Sequence, residues 1–391
     1  LAHASEDLLE AAKVYETYEE ATADMDLVIA TTARHRRVKF DYIPSYELMD
    51  KIRSKKELVK NVCFVFGGER DGLATEFLRK ADMITTIPTA TKFPSLNLSQ
   101  SVMIFSYLAK SELAVVDCPV YQRLRNIKQL GFAEMTFPGA THNRYLHGIG
   151  AMHLAGQAFD SVFRDVEWLQ GEERKRVRQL VRLGALLHDI GHPPLSHTLE
   201  GILPALSEVP GKHPDPSQQA SHEDMTMAIM TESDLTGVLE EQFADQGIKG
   251  SHVAGLISQS YPVDSDVYSV AGRSLRPVLS QLVTSELDVD RMDYLLRDSY
   301  FTGTTYGNFD REWLIGGLTL HESEDGEVNL ALHGRALLSF EDFLLSRYHM
   351  FVMVYFHHRT NGYDRMLVRF FEDLEEEYTL PGDPVAYVDA D

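Results

Sequence analysis

The sequence of 391 residues predicts two parts of different fold class, an α/β part over residues 1–112 and an all-α part over residues 113–391. Three observations support this division. Short apolar runs alternate with helical stretches in the first part, helical periodicity prevails in the second part, and one hairpin pattern interrupts the second part. We therefore expect a mostly parallel sheet followed by a helical domain with a small β-hairpin.

The strands of the first part are predicted from short runs rich in β-branched and aromatic residues. Leu27–Ala30 and Val62–Phe66 are such runs, and polar or Gly-bearing segments follow each of them. Residues 6–12 and 75–80 have the composition of helices. Alternating strands and helices of this kind favour an α/β unit.

Helical periodicity is clearest over Glu172–Leu187. Val177, Leu180, Val181 and Leu187 recur there on one face, as in a helix that packs one side against a core. We therefore expect this helix to contribute to the centre of the second part.

The remainder of the second part contains few strand patterns. Several prolines mark residues 204–221 as a long loop between helices. Residues 317–320 and 328–332 form the one clear strand pair, with the Asp-Gly dipeptide 325–326 as its turn. The acidic, Pro-containing end over residues 373–391 is predicted to lack a closing helix.

The net charge of -22 is concentrated in the second part. Residues 1–112 carry 17 acidic and 15 basic side chains, which leaves the remaining 42 acidic and 22 basic side chains in residues 113–391. A surface that acidic would repel bulk nucleic acid, so an anionic substrate would need a metal ion and a few placed basic residues. The alternative is an ordinary solvated acidic surface that keeps the protein soluble.

The cysteine content and the apolar runs bear on the compartment. Cys63 and Cys118 lie far apart and form neither a zinc-binding spacing nor a disulfide framework. No apolar run approaches the length of a membrane span, and no basic-then-apolar leader is visible. We expect a cytoplasmic protein without a membrane partner.

Histidine and aspartate recur in four segments of the second part, residues 143–147, 188–192, 221–223 and 288–291. His188 and Asp189 end an apolar helix, where side chains about 100° apart can both reach a metal beyond the helix end. Imidazole and carboxylate together suit Mn, Fe, Zn or Mg.

A chance His-Asp dipeptide is the alternative, since one histidine on an apolar helix is usually a hydrogen-bonded core residue. The loop that follows argues for a metal site. His192 and His197 lie within it, and Pro193, Pro194 and Ser196 restrict its conformation.

Several ordered motifs resemble the dNTP-hydrolysing branch of the HD superfamily of metal-dependent phosphohydrolases. They span nearly all of the second part and occur over residues 117–125, 127–131, 137–144, 186–197 and 287–298. The resemblance implies a divalent metal cofactor with four ligands, His147, His188, Asp189 and Asp290. It also places Asp288 at a helix start and makes Asp293 structural.

The resemblance further implies the reaction. Metal-activated water would attack the α-phosphorus, and a protonated His197 or His222 would donate to the departing 5′ oxygen. Glu200 would orient His222 and keep it charged, although the family usually has Asp at this position. His192 and His197 would contact the triphosphate.

Substrate contacts are implied in the same way. Arg144 and Arg291 would neutralise phosphate charge, with surface ion pairs as the alternative. Tyr294 would lie under the sugar and disfavour ribonucleotides, unless it is merely a core aromatic. The other expected contacts are Tyr355 stacking nearby, Asp298 accepting from the 3′ hydroxyl, and Gln129 and Leu130 covering the opposite side.

The first part resembles the later two thirds of a SpoU-family (SPOUT) RNA ribose 2′-O-methyltransferase, whose fold is a trefoil knot that binds S-adenosylmethionine. The segments concerned are residues 31–34, 66–73, 87–89 and 94–100. The implied cofactor-binding residues are Gly68, Glu69, Ile87, Ser95, Leu96 and Asn97. A tRNA substrate follows only if this part is functional.

The join between the two parts and the chain ends lead to further expectations. The methyltransferase family's first motif would lie before Leu1, so we expect no methyl transfer by residues 1–112 alone. No Gly-, Ser- or Pro-rich linker precedes residue 113, and both ends resemble truncations. A natural fusion and an artefact that joins two reading frames remain equally open.

Four functions remain open from the sequence. The first is a dNTP triphosphohydrolase that acts as a homo-oligomer, and the second is an HD hydrolase of another nucleotide phosphate ester. The third is a tRNA methyltransferase, and the fourth is a nucleotide-binding regulator. The complete set of metal ligands argues against the fourth function, and the missing first motif argues against the third.

Overall fold

Two compact units, Leu1–Leu113 and Ala114–Asp391, divide the chain. The structure is a computed structural model that describes residues 12–32, 42–53, 61–68, 72–87, 101, 112–211, 215–374 and 378–390. The helix expected over residues 6–12 lies almost entirely outside these ranges. Within these ranges, every helix is too short or too polar to span a lipid bilayer.

The described part of the first unit is built on a parallel sheet. Its strands are β1 Leu27–Thr31, β2 Tyr42–Pro44, β3 Val62–Val65 and β4 Met83–Thr86. Their order is β2-β4-β1-β3, and every neighbouring pair is parallel. All five residues of β1 are buried, as expected for a central strand between two others. The predicted parallel α/β architecture is confirmed.

Two of these strands were not predicted from the sequence. β2 has three residues and ends in Pro44, and the four residues of β4 are Met-Ile-Thr-Thr, too few to show an alternating pattern. The helices of the unit are α1 Tyr18–Thr22, α2 Ser45–Arg53 and α3 Thr75–Lys80. The predicted helix over residues 75–80 is therefore confirmed.

The second unit is mostly helical. Its longer helices are α6 Arg144–Val162, α7 Gly171–Leu187, α8 His222–Glu232, α9 Asp234–Gln242, α12 Val289–Thr302, α14 Leu337–Met350 and α15 His358–Glu372. The shorter ones are α4 Glu112–Asp117, α5 Pro119–Gln122, α10 Gly250–Ile257, α11 Arg276–Val283, α13 Arg311–Gly316 and α16 Pro384–Asp389. A π-helical turn, Phe351–Tyr355, joins α14 to α15.

α6, α7 and α12 lie at the centre of this unit. The predicted face of α7 is buried, and every residue from Leu180 to Leu187 is buried as well. A helix that is buried around its C-terminal half brings the residues that follow it into the interior. This placement explains how the polar residues after Leu187 reach a buried site.

Small antiparallel hairpins complete the second unit. β7 Leu318–Glu322 pairs with β8 Val328–Leu332, which confirms the predicted strand pair, and Gly326 in the turn has φ +79°. A second pair, β5 Ser269–Val270 with β6 Arg273–Ser274, was not predicted because each strand has two residues.

The predicted absence of a closing helix is wrong. α16 starts at Pro384, and the Asp383 side chain accepts hydrogen bonds from the backbone of Val385 and Ala386. An Asp cap followed by Pro is a favourable helix start, even in an acidic segment. α16 is held by Tyr387, which is fully buried and whose hydroxyl donates to the Gly191 carbonyl at 2.8 Å.

Candidate metal centre and adjoining cavity

Three helix ends bring the four predicted metal ligands together. His147 lies in the first turn of α6, His188 and Asp189 follow the last turn of α7, and Asp290 lies in the first turn of α12. All four side chains are buried or largely buried. The polar ends of three apolar helices therefore meet in the interior.

Side-chain caps fix two of these helix starts. Asn143 Oδ1 accepts from the backbone N–H of Leu146 at 3.2 Å. Asp288 accepts from the backbone of Arg291 at 2.8 Å and of Ser285 at 2.7 Å. Asp288 therefore occupies the helix start expected of it, and such caps hold the first turn in one position.

The ligand atoms converge on one point. His147 Nε2 lies 3.3 Å from His188 Nε2 and 2.9 Å from Asp290 Oδ1, and His188 Nε2 lies 3.2 Å from the same oxygen. Asp189 carboxylate oxygens lie 3.6 Å from His147 Nε2 and 3.5 Å from His188 Nε2. Ligands about 2.1 Å from one metal lie roughly 3.0–3.4 Å apart, so the spacing suits a single first-row cation.

Hydrogen bonds orient both imidazoles toward that point. His147 Nδ1 donates to Asp293 Oδ2 at 2.8 Å, and His188 Nδ1 donates to the Ala185 carbonyl at 2.8 Å. In the neutral form of each ring, the proton on Nδ1 leaves a lone pair on Nε2. Asp293 also pairs with Arg297 at 2.8 Å, so it orients a ligand as well as stabilising α12.

The electrostatics also favour a cation at this point. Burial lowers the pKa of His147, but its hydrogen bonds to Asp290 and Asp293 outweigh burial and raise the pKa to about 10. Burial likewise lowers the pKa of His188, and Asp189 and Asp290 outweigh it and raise that pKa to about 9. Carboxylates that attract protons this strongly attract a divalent metal for the same reason. The donor set therefore fits the metal that the sequence predicted.

A second cluster, His192, His197, Glu200 and His222, lies beside the first. The rings of His192 and His222 stack with centroids 3.9 Å apart, and Glu200 Oε1 binds both His222 Nδ1 and His197 Nδ1, the latter at 3.1 Å. The Glu200 carboxylate is half-buried, and its two histidine partners outweigh burial and lower its pKa. The structure thus brings together His222 and Glu200, the predicted histidine–carboxylate pair, and adds His197 to it.

His192 connects the two clusters. Its Nε2 lies 3.2 Å from Asp189 Oδ1, and its Nδ1 is buried without a hydrogen-bond partner among the described residues. Burial and the nearby Arg144 lower the pKa of His192 well below its usual value, so the ring is neutral at pH 7.

The loop between α7 and the second cluster depends on a close backbone approach and an unusual turn. A Cβ at Gly191 would lie 2.2 Å from the His222 carbonyl oxygen and 2.3 Å from the Thr226 backbone nitrogen, so only glycine fits. Leu195 and Ser196 have φ of 59° and 56°, which non-glycine residues rarely adopt. Ser196 Oγ accepts from Arg144 Nε at 2.8 Å and donates to the Lys128 carbonyl at 2.8 Å, which holds this turn.

A cavity of about 520 Å³ opens onto both clusters. It is lined by most residues that the sequence assigned to the metal, the reaction or the substrate. These are Gln129, Leu130, Arg144, His188, Asp189, His192, His197, His222, Asp290, Tyr294, Asp298 and Tyr355. His147 is fully buried and is not among the described residues that line the cavity.

The aromatic wall of the cavity is formed by Tyr294 and Tyr355, whose rings meet edge to face with centroids 6.2 Å apart. The Tyr355 hydroxyl donates to Asp298 Oδ2 at 2.8 Å. Burial raises the pKa of Tyr294 well above its usual range, so its hydroxyl stays protonated. Gln129 Oε1 is buried there without a partner among the described residues.

The two predicted phosphate-binding arginines differ in placement. Arg144 is buried, pairs with Asp189 and lines the cavity. Arg291 binds Asp288 at 2.5 Å and the Ser285 carbonyl, and it is not among the described residues that line the cavity. Arg291 therefore forms an ion pair with a buried carboxylate rather than the surface ion pair considered as the alternative, and its role toward phosphate stays a prediction.

Several cavity residues were missed by sequence reasoning. Thr360, Asn361 and Asp364 form one polar face of α15, and Phe351 and Val354 come from the π-helical turn. The polar run over residues 357–364 within an apolar region was the available indication. The distance along the sequence between α15 and the loop after α7 gives no sign that the two segments meet, as they do where Thr198 donates to Asp364.

The predicted cofactor residues of the first unit are only partly described. Gly68 follows β3 after Phe66 and Gly67, and Ile87 directly follows β4, so both lie at the carboxyl edge of the parallel sheet. Gly68 also bridges to Gly72. Glu69, Ser95, Leu96 and Asn97 lie outside the described residues.

Comparison with known families defines the class of each part. Residues 144–298 match the model of the HD domain, and residues 1–107 match the model of the SpoU rRNA Methylase family. The chain therefore carries a SpoU methylase region followed by an HD domain, as the motifs predicted.

Several curated proteins are similar to about two thirds of this chain. The chain is 31% identical over 263 residues to an uncharacterised protein of Methanocaldococcus jannaschii, covering 67% of this chain and 46% of that protein. It is 31% identical over 274 residues to an uncharacterised protein of Bacillus subtilis, covering 68% and 54%. It is 29% identical over 275 residues to a deoxynucleoside triphosphate triphosphohydrolase of Homo sapiens, covering 68% and 43%. The chain thus spans about half the length of these relatives.

One solved structure supports the same fold. The crystal structure of a hypothetical protein from Aquifex aeolicus aligns with a TM-score of 0.53 and 32% identity. The alignment covers 69% of this chain and 62% of the other. The two chains therefore share a fold over the aligned length.

Proposed function

We propose that the second unit hydrolyses deoxynucleoside triphosphates to deoxynucleoside and triphosphate. The observation that carries the proposal is the position of the four converging ligands at one end of a cavity whose wall is the Tyr294–Tyr355 pair. The HD domain supports a phosphohydrolase, and the similarity to dNTP triphosphohydrolases supports the choice of substrate.

His147, His188, Asp189 and Asp290 would hold the divalent metal, with Mn, Fe, Mg and Zn all compatible with the ligands. When bound, the metal would supply a hydroxide nucleophile near neutral pH and offset phosphate charge. Asp293 orients His147 by accepting its Nδ1 proton. These residues would thereby set the position of the α-phosphorus.

The other residues would bind the substrate and move one proton. Arg144 would stabilise charge on the phosphates, since its guanidinium is buried at the cavity. Attack on the α-phosphorus breaks the bond to the 5′ oxygen, and His197 or His222 would donate a proton to that oxygen. Glu200 binds both imidazoles and would hold the donor in place.

A panel of nucleotides tests this proposal. The chain is incubated with dNTPs, NTPs, nucleoside monophosphates and cyclic nucleotides, and released triphosphate and phosphate are measured. Triphosphate released from dNTPs supports the proposal. Turnover confined to monophosphates or cyclic nucleotides would instead favour an HD hydrolase of another nucleotide phosphate ester.

The match of residues 1–107 to the SpoU rRNA Methylase family favours a second candidate function, ribose methylation of a tRNA by the first unit. Gly68 and Ile87, at the edge where parallel sheets bind ligands, would contribute to an S-adenosylmethionine site with Glu69, Ser95, Leu96 and Asn97. Methyl transfer from labelled S-adenosylmethionine to a tRNA transcript tests it.

The chain is also predicted to form a homo-oligomer, and sedimentation analysis tests that prediction.

A further inference from the structure

His142 is a buried histidine that belongs to neither cluster of the candidate site. It is 2% exposed and lies on the loop before α6. Its Nε2 lies 2.6 Å from Asp298 Oδ1, and its ring stacks on Phe301 with centroids 4.5 Å apart. Because a carboxylate only accepts, Nε2 must carry the proton that forms this bond.

Asp298 carries the contact on to the cavity. It is 1% exposed, and its second oxygen accepts from the Tyr355 hydroxyl at 2.8 Å. Burial and the nearby Asp298 raise the pKa of Tyr355 well above 10, so the hydroxyl keeps the proton that it donates. His142, Asp298 and Tyr355 therefore form a continuous chain from a buried loop to the cavity wall.

The hydrogen bond from the Tyr355 hydroxyl to Asp298 fixes Tyr355 within the cavity wall. Tyr355 is the last residue of the π-helical turn, and its ring meets the edge or face of Tyr294 and Phe351. Edge-to-face ring contacts tolerate sliding and rotation, whereas a hydrogen bond to a buried carboxylate fixes the hydroxyl. π-helical turns are also common at functional sites.

His142 also contacts a second residue of the cavity lining through its backbone. The Gln129 backbone N–H donates to the His142 carbonyl at 3.1 Å, and Lys128 and Asn143 form a β-bridge beside it. Gln129 and Tyr355 both line the cavity. His142 therefore connects two residues, Gln129 and Tyr355, that both line the cavity.

We propose that His142 is a positioning residue that sets the sugar preference of the cavity. The proposal rests on the proposed function and places the deoxyribose of that substrate against the Tyr294–Tyr355 wall. With Asp298 and Tyr355 held by His142, the wall cannot shift to accommodate a 2′ hydroxyl. Without the His142 hydrogen bond, Asp298 and Tyr355 can rotate, and the ribonucleotide gains space and a partner.

The test compares His142→Leu, which removes the donor, with His142→Gln, which keeps an N–H near the position of Nε2. For His142→Leu we expect the dGTP-to-GTP ratio of kcat/KM to fall about tenfold, as for one lost buried hydrogen bond, partly through a higher KM for dGTP and partly through a higher kcat/KM for GTP. The kcat for dGTP should stay within about threefold and the metal content should not change. His142→Gln should recover most of the ratio.

Matched controls separate positioning from a general loss of stability. His321→Leu replaces an exposed histidine on β7 and should leave the ratio unchanged. Tyr355→Phe should lower the ratio, and adding it to His142→Leu should produce little further change because both remove the same chain of contacts. An unchanged ratio in His142→Leu, additive effects of the two substitutions, or no recovery in His142→Gln would overturn the proposal.

Readouts without turnover distinguish this proposal from the proposed function. The hydrogen-bonded Nε2 proton of His142 should appear at low field in the ¹H NMR spectrum and should move in Tyr355→Phe. Calorimetric binding of dGTP and GTP should show the same change of preference as the kinetics. If triphosphate release fails while His142→Leu still changes the binding preference, only the proposed reaction is lost. Equal affinity of the unmodified chain for dGTP and GTP would overturn the sugar role itself.

Discussion

The Nε2 atoms of His147 and His188 face each other at 3.3 Å, although 41 positions separate the two residues in the sequence. Both rings are buried, and both donate their Nδ1 protons away from the shared point. Two lone pairs this close repel each other unless a proton or a metal lies between them. This relationship underlies the first two predictions.

Removal of Asp189 should remove the metal. Asp189→Ala deletes a ligand and a charge together, and it leaves Arg144 buried without its carboxylate partner. We expect less than about a tenth of the unmodified metal content and no measurable turnover. His142→Ala should keep its metal, because His142 contacts Asp298 and not the ligands. Elemental analysis after gel filtration decides this, and full occupancy in Asp189→Ala would refute the ligand set.

The stability of the metal-free chain should fall as the pH rises. The folded-state pKa values of His147 and His188, about 10 and about 9, lie above the value near 6.5 of an unfolded chain. Stability from protonation is therefore fully present below about pH 6.5 and is lost as the pH rises through 9 and 10. The measurement is the Tm of the chelator-treated chain between pH 6 and pH 10.

Two comparisons make the pH experiment specific. The metal-loaded chain should show a smaller fall in Tm, because the cation replaces the protons at high pH. Asp290→Asn should flatten the slope, because Asp290 is one of the carboxylates that raise both pKa values. A Tm that rises over this interval in the metal-free chain would contradict the prediction.

Tyr294→Ala should raise ribonucleotide turnover relative to deoxyribonucleotide turnover. The ring forms the cavity wall beside Tyr355, and an unpaired buried hydroxyl costs roughly 1–3 kcal/mol, or one to two decades in the rate ratio. The measurement is kcat/KM for dGTP and for GTP. A parallel fall of both rates with a loss of stability would mean that Tyr294 is only a core aromatic.

Glu200→Gln should lower kcat by about ten- to a hundredfold without loss of metal. The amide cannot accept from His197 and His222 as strongly as the carboxylate that now binds both. Glu200→Asp keeps the charge on a shorter side chain and should retain more activity. Unchanged kcat in Glu200→Gln would exclude the carboxylate from the reaction.

Gly191→Ala should destabilise the second unit by more than 1–3 kcal/mol, the usual range for overpacking, because the new Cβ would meet backbone atoms that cannot move aside. Gly237→Ala is the matched control. Gly237 lies in α9, nothing lies within 4 Å of its added Cβ, and alanine favours helix by about 0.5–1 kcal/mol. Urea unfolding should therefore move in opposite directions for the two variants.

The sequence predicted those parts of the site that lie on single helix ends. His188 and Asp189 were placed by the geometry of a helix end, and the α7 face was regular enough to define that helix, whereas Asp290 was predicted only from the family resemblance. The partners of these residues come from distant segments. Asp298, for example, meets Tyr355 across 57 positions, and only packing determines which polar side chains meet.

Short elements were missed for a different reason. β2, β5 and β6 have only two or three residues each, too few to show an alternating pattern. β4 has the same length as β3 but ends in two threonines and lacks the apolar run by which β3 was predicted. α16 was not predicted because the acidic, Pro-containing composition of residues 373–391 was given more weight than the Asp383-Pro384 helix start. Arg291 binds Asp288 at the helix start, a contact that the sequence did not indicate, and its role toward phosphate stays a prediction.

The hydrogen bond from Tyr387 to the Gly191 carbonyl has a consequence for the order of events during synthesis. The two residues are separated by 196 positions, and Arg123, which stacks on Tyr387 at 5.1 Å, also donates to the His192 carbonyl at 2.7 Å. The loop that follows the paired ligands thus gains its last support only after Tyr387 has left the ribosomal exit tunnel. A nascent chain arrested before that point should contain the helices but lack a settled loop, and protease should cut it near residue 193 until translation proceeds.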